Sequence, residues 1–359
     1  MCSAISRMAA LAFAATVAVL GPLAAAAGEV SGVCRTSAYR NNAPPSSAPD
    51  ICAAIETGGA DGNPRVVDAS RIVSVVAAAA SHVSFVLLGE VHDNPSHHRV
   101  RARIIHAIAD VRARSRRTAP GLVLEHVRAD QAMAVTGYRR INPAQHLSAH
   151  DFFEKLGWKT SGWPSADLFH PMIEAAIKAE WPIEHGNLPR ERIRAVARGG
   201  MAALDAREVK DLRLETPFPE ILQSDLLDDL VESHCGLQAK EALVTMADAQ
   251  RYRDAYMAKQ LGDAARTYNG AVLLAGNGHV RADRGVPWHL RRMEPDKRIL
   301  VVVLTQARAD EARTLAYVER SALGQPIADY VLVTPRVERP DPCVAMRKRF
   351  PASPETVPK

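Results

Sequence analysis

Apolar residues in this chain fall into short runs separated by longer stretches of mixed polarity. Six runs read as buried strands, near 85–89, 121–126, 182–186, 271–275, 299–304 and 330–334. Phe85-Val86-Leu87-Leu88 and Ala271-Val272-Leu273-Leu274-Ala275 are unbroken, as expected of strands covered on both faces. Between the runs, amphipathic stretches such as 96–117, 167–180 and 308–321 carry helical spacing. Strand and helix patterns in alternation predict an α/β fold, a mostly parallel sheet flanked by helices. The interval 187–270 breaks the rhythm. It holds no strand pattern and reads as helices around 189–199, 203–213, 218–234 and 238–266, because a compact domain rarely carries so long a structureless loop. It predicts a helical lobe inserted before the fourth main strand.

Ahead of these elements, residues 36–65 are rich in Asn, Pro, Ser and Gly, and read as an irregular arm. The first residues have another pattern. Arg7 precedes an apolar run from Met8 to Leu20, Gly21-Pro22 breaks it, and Ala24 to Ala27 are small. This is the layout of a secretory signal peptide cut near Ala26 or Ala27, with an uncleaved anchor as the alternative. The expected partition is a signal peptide over 1–27, an irregular arm over 28–65, an α/β domain over 66–335 and a tail over 336–359. The lobe occupies 187–270 within the domain.

The strand ends carry the candidate chemistry. The first run leads into Gly89-Glu90-Val91-His92-Asp93-Asn94, and the fourth into Gly276-Asn277-Gly278-His279-Val280-Arg281. The second ends in Glu125-His126, the third in Glu184-His185 with Asn187 after it. In a parallel sheet these positions share one rim, where ligands enter the crevice beyond the strands' carboxyl ends. Carboxylates and imidazoles converging there can share protons, hold a cation or bind a haem iron. Glu90 and Glu125 could instead accept hydrogen bonds from loop amides or pair with Arg281. His126 and His185 could face away from the crevice. His97 and His98, at the start of a helix, could face the crevice, but read better as facing water. Gln250, Asp254 and Met257, with Arg253 beside them, share one helix face that could close over the rim.

A formal net charge of +5 is too mild to argue for nucleic acid. Its one cluster comprises Arg99, Arg101, Arg103, Arg112, Arg114, Arg116 and Arg117. This reads as the solvated face of a helix, with a membrane surface or anionic ligand as the sharper alternative. Beyond Cys2, the cysteines are Cys34, Cys52, Cys235 and Cys343, which allow three pairings in an exported protein. Cys34–Cys52 would clip the arm. Lipid attachment at Cys34 is disfavoured because Val33 before it is not small. No Gly-x-Ser-x-Gly elbow or Gly-x-Gly-x-x-Gly loop is present, so neither a serine hydrolase nor a dinucleotide fold has a motif behind it.

Several of these words, taken in order, resemble one family. They are Leu87 to Asn94 with His97-His98, Glu125, Asn187-Leu188-Pro189-Arg190, Ser233-His234-Cys235, Gln250-x-x-Arg253-Asp254-x-x-Met257-Ala258, Gly276 to Arg281 and Gly285-Val286-Pro287. Over about residues 80–300 the chain is similar to the ChaN-type haem-binding uptake proteins. Those belong to the wider TIKI, TraB and erythromycin-esterase-like superfamily. The resemblance implies an exported, periplasmic haem-binding protein linked to iron uptake, with a possible homodimer around the cofactor and possible membrane-surface association. His92, His279, Arg281, Glu90, His185 and Arg253 are then the candidate cofactor contacts. A tyrosine-type iron ligand is also implied, with Tyr138, Tyr252, Tyr256 and Tyr268 as candidates. The superfamily's hydrolases imply an alternative. There Glu90, His92 and His279 would hold a divalent metal, or His92 would act as base with Glu90 or Glu125 orienting it, and Arg281 would stabilise developing charge.

Overall fold

The computed structural model describes residues 28–36, 38–39, 49–59, 61–134 and 148–349. The expected signal peptide and Tyr138 lie outside these. Eight strands form one sheet: β1 (Ala53–Glu56), β2 (Arg65–Val67), β3 (Phe85–Leu88), β4 (Gly121–Arg128), β5 (Ile183–Asn187), β6 (Ala271–Leu274), β7 (Ile299–Gln306) and β8 (Tyr330–Thr334). Their order is β2-β1-β8-β7-β3-β6-β4-β5. All six strands expected from the apolar runs are present, and they run parallel. The arm supplies the surprise. β1 pairs antiparallel with β8, and β2 antiparallel with β1, so part of the segment expected to be irregular closes one sheet edge. Runs of four and three residues between Pro, Gly and Ser clusters are too short for periodicity to reveal.

Alternate side chains of each strand enter different cores. Val86, Leu88, Leu122, Leu124, Val272 and Leu274 face α1 (Ile72–Ala80), α2 (Pro95–Arg114), α3 (Ala149–Lys155) and α4 (Ala166–Lys178). Phe85, Leu87, Val123, Leu273 and Val301 form the other core with Met257, Leu261, Val286 and Leu290. The inserted lobe is helical as expected, with α5 (Arg190–Gly199), α6 (Glu220–Ser233) and the 25-residue α7 (Val244–Tyr268) as its main elements. Asn269, at φ +57°, ends α7 in the left-handed conformation that asparagine tolerates. After β6 come the single turn α8 (Asn277–Val280) and then α9 (Val286–Met293), whose first turn includes Pro287. The 308–321 stretch does not form the expected α-helix. Its only helical turn is a 3-10 segment over Thr314–Tyr317, held by side-chain and backbone contacts to its own loop.

The arginine-rich helix is not a single basic face. Arg101 is fully buried, Arg112 is buried on the carbonyls of Thr118 and Asn269, and Arg99 pairs with Asp50. Only Arg103, Arg114 and Arg116 of the cluster are exposed, so it presents no continuous patch to a membrane or anion. No described helix is long and apolar enough to cross a membrane.

Two disulfides, Cys34–Cys52 and Cys235–Cys343, tie the termini to the body. The second joins the lobe, just past α6, to a C-terminal helix over Pro342–Arg349. On chain-entropy grounds, a crosslink spanning 108 residues constrains the unfolded chain more than one spanning 18. Replacing Cys235 and Cys343 together by Ser is expected to lower stability by about 5 kcal/mol, and Cys34 with Cys52 by about 3 kcal/mol. Urea unfolding of the two variants checks the order.

Candidate functional site

β3, β6 and β4 lie side by side in register, with Leu88, Leu274 and Leu124 as neighbours. The loops that leave them therefore emerge together, and residues far apart in sequence meet. Asn277 N donates to the carbonyl of Glu90 at 3.0 Å, stitching the two glycine-histidine words directly. Each word has its glycine where the other needs space. A Cβ on Gly89 would collide with Asn277 Oδ1 and come within 2.8 Å of Val280 Cγ2. One on Gly276 would sit 3.0 Å from His92 Nε2. The close approach of the two loops is what these glycines allow.

Glu90 is the centre of the first group. Its Oε1 accepts from His92 Nδ1 at 2.7 Å and His126 Nε2 at 2.9 Å, while Oε2 meets Arg101 and lies 3.2 Å from His98 Nδ1. Both Glu90 and Arg101 are removed from water. Burial alone would push the Glu90 carboxyl up, but the Arg101 charge and the imidazoles hold it well below the usual carboxylate range. His98 pays the opposite way: burial lowers it to about 4, so it is neutral. His126 is lowered by burial too, and His97 well lowered. Trp163 packs edge-on against His92 and His126 at 4.9 and 4.7 Å between ring centres, and Phe169 closes on His98 and His126.

Glu125 is the centre of the second group. Its Oε2 accepts from the Gly276 amide at 2.8 Å, and its Oε1 is 2.5 Å from Arg253 and 3.2 Å from His279 Nε2. The other nitrogen of His279 is 2.5 Å from Asp254 Oδ1, with Gln250 beside it. Burial disfavours the His279 imidazolium, yet the carboxylates of Glu125 and Asp254 raise its pKa to about 9. Glu125 is held well below the ordinary range by the same contact, although burial opposes it. So α7 does form the facing wall through Gln250, Arg253 and Asp254.

His92 lies between the groups. Its Nδ1 is fixed by Glu90, and among the described residues Nε2 has no hydrogen-bond partner. At 35% exposure, its side chain is much more open than those of His126 and His279. Burial opposes its charged form, but the hydrogen bond to Glu90 and the nearby Glu125 raise its pKa above the usual 6.5.

Other expected members are placed elsewhere. Arg281 does not pair with Glu90 or Glu125. Its guanidinium is taken by Asp283, Glu319, Asp225 and Asp229, and Arg284 shares the last two. The four carboxylates leave it no free charge for a reaction at the rim. The arginines on the two central carboxylates are instead Arg101 and Arg253. His185 also stands apart, sharing a 3.0 Å hydrogen bond with the Tyr256 hydroxyl, while its buried Nδ1 has no partner among the described residues. The set Glu90, His92 and His279 is split, because His279 belongs to Glu125. The compact potential metal-ligand group is Glu90, His92 and His126. His97 and His98, expected in water, are both buried: His97 accepts from Val91 N at 2.8 Å and meets Thr334, and His98 meets the carbonyl of His92.

Among the tyrosines, Tyr252 donates to Glu208 and Tyr268 to Glu184. Tyr256 is pushed up to about 12 by burial, which opposes a phenolate. Arg101 is the member that sequence reasoning missed. A signal was present, since Arg101 lies in one helical stripe with His97, Ile104, Ile105 and Ile108, where a charge has to find a buried partner.

Two measurements test this electrostatic frame. Replacing Arg101 by Met strands the Glu90 charge and is expected to cost about 3–5 kcal/mol in urea unfolding. His279, whose folded pKa is raised to about 9, stabilises the fold fully below its unfolded value near 6.5. That contribution is lost as pH rises through about 9. Titration by NMR should show its imidazole still protonated at pH 8, and Asp254→Asn should lower the midpoint.

The sequence profile described as "Haem-binding uptake, Tiki superfamily, ChaN" matches residues 76–290, well over half of the chain. No curated protein is significantly similar in sequence. Among solved structures, Campylobacter jejuni ChaN, described for its cofacial haem binding, superposes with a TM-score of 0.57 at 18% identity. That match covers 79% of this chain and 96% of the other, and shows a shared fold. The type III effector HopBA1 matches at a TM-score of 0.38 and 12% identity, over 74% of this chain and 93% of its own, too distant to carry an argument. The chain belongs to the ChaN family of haem-binding uptake proteins in the Tiki superfamily.

Proposed function

We propose that this chain binds haem at the carboxyl rim of its sheet, with His92 as the iron contact, and serves haem or iron uptake outside the cytoplasm. One observation carries the position: the open, unpartnered Nε2 of His92. Glu90 accepts from Nδ1–H, so in the neutral form of the ring the lone pair lies on Nε2, facing a metal, and the tautomer is fixed. Trp163 beside it offers an aromatic surface to a flat macrocycle. The other imidazoles of the first group are consumed in holding Glu90, and His279 is charged and has no lone pair to give. The residues present thus fit the group in its simplest requirement. When bound, haem would supply the redox and ligand chemistry of its iron; the chain supplies the imidazole and its orientation.

Family membership supports haem as the ligand. Export is supported by the apolar leader in the sequence and by two disulfides, which persist in oxidising compartments. Cofacial haem binding in the Campylobacter jejuni protein suggests two copies of this chain around a haem pair.

Haemin titration of the purified chain is expected to shift the Soret band, and His92→Ala to weaken binding at least about tenfold. Tyr256→Phe should leave it unchanged. The affinity should also rise with pH. The His92 pKa lies above 6.5, so protons compete with iron below it and release Nε2 above it. An unchanged spectrum, or equal binding by His92→Ala, would remove the proposal.

A further inference from the structure

A cavity of about 750 Å3 opens at the opposite end of the sheet, where β7 and β8 begin. Its size is that of a small-ligand site. Trp288, Leu222, Leu300 and Tyr330 supply apolar wall, and Asp329 and Arg291 line the same space. None of these residues takes part in the rim.

The charges in this lining are sorted in a telling way. Asp283 is already paired with Arg281 at 2.9 Å, and Glu56 with Arg65 at 2.5 Å. Asp329 and Arg291 have no ion-pair partner among the described residues, and they do not pair with each other. Asp329 fixes Oδ2 by accepting from Val301 N at 2.7 Å. Arg291 donates Nη1 to the carbonyl of Ala282, which orients the guanidinium and leaves its charge uncompensated. Both side chains are exposed to solvent within the concavity.

We propose that this cavity binds a short apolar peptide with both ends free, its ammonium on Asp329, its carboxylate on Arg291 and its side chains against Trp288, Leu222 and Leu300. One unpaired charge of each sign suits a zwitterion better than a simple anion or cation. The volume exceeds what a single amino acid would fill, and the apolar residues in the lining favour side chains over sugar hydroxyls. An aromatic face such as Trp288 adds contact area without further polar demand.

The test is calorimetric titration of the full chain with leucyl-phenylalanine, its N-acetylated form and its C-terminal amide. The free dipeptide is expected to bind saturably, and each capped form to bind at least about tenfold more weakly. Asp329→Asn should abolish discrimination against the acetylated form only, and Arg291→Gln against the amide only. Both variants should retain wild-type haemin titration, which separates this site from the rim and reports on folding. Absence of saturable binding by the free dipeptide overturns the proposal. So does equal binding of all three ligands by the wild type, or discrimination that survives in the two variants.

Discussion

Glu90 carries a negative charge in the interior of this protein, and the architecture around it answers that charge. An isolated carboxylate there would cost many kcal/mol in lost hydration, so it has to be met by hydrogen bonds and an opposite charge. Arg101 comes from the second turn of α2, His98 from its first turn, His126 from β4 and His92 from the loop after β3. One carboxylate thereby links the central strand, its neighbour two places away and the helix across the face. Trp163 and Phe169 pack against the imidazoles of the network.

Glu125 repeats the arrangement on the other side of the rim, with a different result. Arg253 and His279 answer its charge, and Asp254 adds a second carboxylate that keeps the imidazole protonated. Similar residue types therefore give lowered pKa values at His98 and His126 beside Glu90 and raised ones at His92 and His279. Environment decides the protonation state, because burial and neighbouring charge act in opposite directions on each ring. His92, between the two groups and open to solvent, is the imidazole left with a ring nitrogen to offer.

Much of the frame was legible from the chain itself. Parallel strands buried on both faces have to be apolar throughout, and such runs marked five of the six parallel strands; β5, at the sheet edge, carries Glu184 and His185 within it. β1 and β2 were hidden because short edge strands lack the length for a pattern. The rim was legible in outline, since polar residues gather at the carboxyl ends of four runs, although Glu125 and His126 lie within β4 and Glu184 and His185 within β5. Arg281 was misplaced because sequence separation says nothing of Asp225, Asp229 and Glu319, which reach it from the lobe and a distant loop. Arg101 was read as solvated because the arginines around it mask its position in an apolar stripe.

Local spacing by itself determined the strands, the helical lobe and the glycine-histidine words, because hydrophobic periodicity and backbone tolerance are properties of neighbouring residues. Only the tertiary structure decided which carboxylate each histidine serves, which arginine balances each charge and which ring nitrogen remains open. Those outcomes depend on distances of a few ångströms between segments brought together by β3, β6 and β4. The energy of a buried charge varies steeply over such distances, and the order of residues along the chain carries no measure of them.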